Sequence, residues 1–186
     1  MNSYSIALFL HIVSALGFFL ALGLEWTGLW QLRNTMSLEQ AHTWMSIFKS
    51  TRKVGFVAML TTVITGIYMM VMYWGSQPWL IVTVGSLILV IVLAQAVTAP
   101  RMAAIGRALA MEKGAASKSW QNLANHPLLW VSIQARMAIA LGIVFLKIAK
   151  PDLAGSLFAI GIAVVLGVAS ALPMSRRLRV QEGAAG

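Results

Sequence analysis

The chain has no cysteine. It can therefore carry no disulfide, no thiolate metal site and no iron–sulfur cluster, and any redox chemistry would need a cofactor held by other groups. Acid is nearly as scarce, with 5 Asp and Glu against 14 Lys and Arg in 186 residues. That leaves too few carboxylates for an acidic proton relay of the kind found in pumps. Histidine occurs 3 times, as His11, His42 and His126. A zinc or copper site needs three or four ligands, so no metal held by side chains alone is expected. There is no glycine-rich phosphate loop and no Ser-His-Asp arrangement. Charged residues make up only 10% of the chain, where soluble domains run near 25%.

What the chain has in quantity is apolar sequence, 59% of its residues, with a mean hydropathy of +0.81. This places it in a lipid bilayer. Five runs are long enough to cross one as helices: residues 5–30, 54–74, 79–99, 128–147 and 153–173. The expected fold is all-α, a polytopic transmembrane helix bundle forming a single integral membrane domain over residues 1–186. MNSYS lacks the basic start of a signal peptide and no small-residue cleavage site follows the first run, so the first helix is expected to be retained. Between the first two runs, Ser37-Leu-Glu-Gln40 has capping-box spacing, and Leu38, Ala41, Trp44, Met45 and Phe48 recur at helical intervals. That pattern predicts an interfacial amphipathic helix over residues 37–52 that turns into the second span. His42 falls on its polar side. Pro100 predicts a kink at the end of span three, past which the helix is expected to continue to a stop at Gly114, and residues 115–127 a polar connection ending in an Asn125-His126-Pro127 cap.

Charge sets the expected orientation. Arg33, Lys49, Arg52 and Lys53 lie in the first connection, Arg101, Arg107, Lys113 and Lys118 in the third, and three arginines in the tail. The opposite side holds only Lys147 and Lys150. By the positive-inside rule the N-terminus lies outside and the C-terminus inside. The basic residues thus serve topology, and no nucleic-acid surface is expected. The 7 tryptophans all fall at or near span ends, where an interfacial belt would put them.

Ionisable groups at membrane depth are functional candidates because they are costly there. Span one carries His11 and Glu25, 14 positions apart and so on one face of a helix, together with Ala7, Ser14, Phe18, Ala21 and Gly28. Span four carries Arg136. Glu25 lies ~9 Å from the basic end of its span and Arg136 ~12 Å from the same end, which predicts a buried structural ion pair. His11 sits alone about 10 Å below the other surface, where Ser86 and Lys147 approach it in depth. One membrane histidine supports single-histidine ligation of haem b, or else an interhelical hydrogen bond. Met69 and Met70, at the same depth, are the methionines that could complete such a site. Small residues at Ser14 and Gly17 are expected to leave room beside His11 for a flat macrocycle.

Leu10-His11-Ile12-Val13, followed by Gly17 and Phe18-Phe19, resembles the first helix of a superfamily of small bacterial multi-pass membrane proteins. It includes the uncharacterised DUF2269-type proteins, the CopD copper-resistance proteins and the HemJ-type protoporphyrinogen oxidases. ARMAIALGIVFLKIAKPD is also similar to the fourth span of uncharacterised members. The resemblance implies a bacterial inner-membrane location and, from the HemJ-type members, a haem-binding role for His11. HemJ-type proteins carry a functional lysine in the third span, where this chain has none, and this sets it nearer the DUF2269-type branch. Three readings follow: a haem-b or redox protein using His11; a small-solute permease with the Glu25–Arg136 pair at its gate, acting as a homodimer; or an accessory subunit whose polar residues lock helices together. None of them commits the chain to a catalysed reaction.

Overall fold

The computed structural model describes residues 2–35, 37–112 and 119–183, with the backbone alone for 172–183. Among the described residues there are six helices and no strand, and five of the helices are long and apolar enough to span a membrane. Short capping residues divide them. Helix α1 (Ser3–Asn34) starts at Asn2, whose side chain accepts the Tyr4 N–H, and it stops where Thr35 turns extended. Helix α2 (Leu38–Trp74) starts at Ser37, whose hydroxyl accepts the Gln40 N–H at 3.5 Å. The other arm of the expected capping box is missing, because Gln40 Oε1 accepts the Thr35 hydroxyl instead, at 2.5 Å. Helix α5 (Pro127–Ala149) opens as expected: His126 is the cap, its Nδ1 accepting the Leu128 N–H. Lys150, at φ 46°, ends it, and Asp152 then caps α6 (Leu153–Gly183) by accepting the Gly155 N–H at 2.8 Å.

One expected boundary is different. The amphipathic stretch of residues 37–52 is not set apart from the second span. It is the first part of α2, which runs unbroken past Lys53, since Ser50-Thr-Arg-Lys-Val54 holds no residue that would break a helix. Helix α3 (Pro78–Met111) runs through Pro100. The turn just before the proline, Leu93–Thr98, widens to π-helical geometry. This relieves the clash a proline ring makes with the preceding turn. The hydroxyl of Ser132 donates to the Leu93 carbonyl at 3.1 Å at this wide turn. The expected stop at Gly114 lies outside the described residues. The polar connection that follows holds a short helix, α4 (Ser119–Ala124), pinned by the Gln121 amide donating to the Thr35 carbonyl at 2.7 Å.

Helices α1 and α2 form one close antiparallel pair, α5 and α6 another, and α3 lies on α5. The stripes of small residues make the first pair close: a Cβ added at Gly55 would stand 2.8 Å from that of Ala21. The main core fills the basic end of the bundle, where Leu29, Leu32, Phe48, Ile105, Leu129 and Trp130 pack together. Trp79, Trp120 and Trp130 are buried there or beneath neighbouring helices, with Trp130 only 1% exposed. They hold the protein interior together and are not the lipid-facing belt that their positions suggested. Side chains such as Phe9, Val13 and Leu20 on the outer face of α1 are exposed, as a lipid-facing surface requires.

Candidate functional site

Toward the basic end, Glu25 of α1 meets Arg136 of α5. The Nη2–Oε2 distance is 2.6 Å, with both side chains buried, so the expected ion pair is present. It joins α1 to α5 beside the main core, where the α1–α2 pair and the α3–α5–α6 group also pack together. Among the described residues Arg136 Nε has no hydrogen-bond partner.

Nearer the other end of the bundle the same two groups of helices part around His11. The imidazole Nδ1 lies 3.0 Å from the Thr62 carbonyl and 3.1 Å from the Thr65 hydroxyl oxygen. A carbonyl can only accept, so Nδ1 carries the proton and donates to it. The neutral ring then presents a lone pair at Nε2, which makes no hydrogen bond among the described residues. The ring edge is seated on α2 at Gly66, where an added Cβ would come within 3.1 Å of His11 Cε1. Beside it Ser14 and Thr62 share a hydrogen bond of 2.8 Å.

The expectation that Ser14 and Gly17 leave a space beside His11 is overturned. Their side of α1 is closed against Thr62 and Ala58 of α2, because small residues draw helices together and leave no gap. The free space is on the neighbouring face. A cavity of about 410 Å³ there is walled by His11, Leu16, Phe19, Leu87, Val144 and Lys147, so it lies between α1, α2, α3 and α5. Its lining is apolar except for a few groups, chief among them His11 and Lys147. The ammonium of Lys147 stands 5.7 Å from the ring centre of Trp79, and among the described residues it has no carboxylate partner. Met70 borders this cavity, whereas Met69 is buried elsewhere in the packing. Ser86 does not reach His11, since its hydroxyl donates to the Val82 carbonyl of its own helix at 2.7 Å. Thr83 lines the cavity in its place.

A second cavity, of about 850 Å³, lies on the basic side of the first, and Phe18, Val63 and Ile91 line both. Glu25 and Arg136 are part of its wall, together with Lys49, Arg52 and Lys53 of α2. Those three basic residues had served in the sequence only to orient the chain. They come together at a cavity because α2 continues as one helix from the amphipathic stretch into the span. Compared with family models, with curated proteins and with solved structures, the chain matches none of them.

Proposed function

We propose that this multi-pass membrane protein holds haem b through a single axial histidine, His11. One observation carries the reading: Nδ1 is tied to the Thr62 carbonyl while Nε2 is left unpartnered on a residue that walls an apolar cavity. A ligating histidine is ordinarily fixed in this way, its second nitrogen donating to a carbonyl that sets the tautomer and ring orientation. The residues present suit the group. The cavity, of about 410 Å³, is of small-molecule size and open on one side, so it would cradle a macrocycle and not enclose it. Leu16, Phe19, Leu87 and Val144 offer an apolar bed for a macrocycle, and Lys147 offers a cation for its carboxylates. Bound there, haem b would supply one-electron iron chemistry.

The chain's own residues do the rest. Thr62 and Thr65 hold the imidazole still, with the Thr65 hydroxyl itself donating to the Thr61 carbonyl at 2.7 Å. Gly66 lets α2 come close enough for that hold. Met70, which also lines the cavity, is a second side chain that would be able to help hold the group there. The resemblance to the DUF2269-type branch, an inner-membrane location and an N-out orientation belong to the same proposal. Loop charge supports the orientation.

A second reading has its own observation. The bonds from His11 to Thr62 and Thr65, with Ser14 beside them, also make an interhelical clamp. A visible spectrum of the detergent-purified protein, expressed with ample haem, separates the two. The haem reading expects a Soret band that shifts on dithionite reduction, at no more than one haem per chain, and that is lost in His11→Ala. A colourless protein leaves His11 as a clamp.

A further inference from the structure

The larger cavity has features that the haem reading does not use. It follows α2 from Phe48 to Val63, about 22 Å along the helix at ~1.5 Å per residue, of which about 14 Å from Val54 on lies within the span, close to half of a ~30 Å hydrocarbon core. It is also open to the side. Helices α2 and α3 approach closely only near their basic ends, and the residues of α2 along this gap, Phe56, Val57 and Leu60, are exposed. An apolar slot of that depth, reached from within the bilayer, suits a hydrocarbon chain. Its basic end is chemically different from the rest. Lys49, Arg52 and Lys53 line it there, and among the described residues none of the three has a carboxylate within ion-pair distance. Arg52 Nη2 instead donates to Gln95 Oε1 at 3.0 Å, reaching across the opening from α2 to α3. The one acid in the wall, Glu25, is already neutralised by Arg136.

From this arrangement we infer that the cavity is a binding site for an anionic glycerophospholipid of the leaflet on the basic side. Its phosphate is held by Lys49, Arg52 and Lys53, and one acyl chain enters between α2 and α3. Basic pockets between transmembrane helices on this side are suited to anionic head groups. Zwitterionic lipid would gain the apolar slot and the phosphate contacts but would set its own cation against the three basic residues. Free phosphate would gain the charges without the slot. The lipid fills the gap between the two groups of helices and so props them at a fixed separation. The site lies apart from His11 and does not depend on what His11 binds.

The test is native mass spectrometry of the full chain in neutral detergent, offered equal amounts of phosphatidylglycerol and phosphatidylcholine. Phosphatidylglycerol should occupy the protein at least about tenfold more, with inorganic phosphate failing to displace it. Replacing all three basic residues by Gln should weaken phosphatidylglycerol roughly a hundredfold and abolish the preference. Ala94→Trp, which fills the slot and leaves the charges, should weaken both lipids. Equal occupancy in the wild-type protein would overturn the inference, as would displacement by phosphate. So would a preference that survives the triple substitution, or lipid binding unchanged by Ala94→Trp. The wild-type competition stands by itself if a variant does not fold. Repeating it on His11→Ala separates this result from the haem reading, since lipid preference should be unchanged there.

Discussion

The two ends of this bundle are built on different terms. At the basic end, aliphatic and aromatic side chains interlock, and Leu29, Ile105, Leu129 and Ile133 are fully buried. Toward the other end the helix groups separate around His11 and Lys147, and the cavity that results is lined by partly exposed residues. The core at that end is small, with Val82, Leu146 and Ile160 buried at its centre. Close packing is concentrated at the basic end; free volume begins beside it, in the larger cavity along α2, and continues to the other end around His11. A binding cavity needs walls held apart, and the packed end, with the Glu25–Arg136 bridge beside it, is what holds them.

The largest effect should come from that bridge. Glu25→Gln or Arg136→Gln strands a buried charge and is expected to cost about 3–5 kcal/mol, read as lost yield and a lower melting temperature in detergent. The double substitution should recover part of the loss, as contacting sites do. Simple addition of the two losses would mean that the bridge is not what joins the helix groups. Next, matched truncations measure the contrast itself. Leu129→Ala, at a fully buried position of the packed end, should cost about 2–5 kcal/mol. Leu16→Ala, 65% exposed beside the open cavity, should change stability by no more than about 0.5 kcal/mol. Comparable losses at both positions would erase the distinction between the ends. Gly55→Leu probes the helix pair common to both. It would force apart α1 and α2 at Ala21, with an expected cost of about 1–3 kcal/mol. A small effect, close to that at Leu16, is expected for Ser14→Ala, which loses one interhelical hydrogen bond worth roughly 0.6 kcal/mol.

Much of the packed half could be read from the residues. Hydrophobic runs locate five spans because a membrane-crossing helix must be long and apolar. Glu25 and Arg136 announce each other by opposite charge at equal depth. His126 before Pro127 marks a helix start by cap chemistry alone. The open half was harder. A stripe of small residues says that helices meet, yet it does not say that the meeting closes the space beside Ser14 and opens one beside Leu16. That outcome depends on how α3 and α5 splay from α1, which no local pattern records. Trp79, Trp120 and Trp130 sit at span ends in the sequence, but burial by neighbouring helices took them out of the lipid. Likewise Lys49, Arg52 and Lys53 gave a topology signal strong enough to hide that they line a cavity. Helix α2 brings them there by running on without a break, and a sequence pattern shows where a helix breaks more readily than where it does not.

The central claim is that His11 offers Nε2 to a ligand in the open half, and chemical rescue tests it most directly. His11→Gly removes the imidazole while leaving Thr62 and the cavity walls in place. The protein would be expressed with ample haem, and its spectrum compared with the wild type, with and without added imidazole. The account predicts a Soret band in the wild type, none in His11→Gly, and its return when imidazole fills the vacated position. A Soret band of full intensity in His11→Gly without imidazole, or none in the wild type, would contradict it.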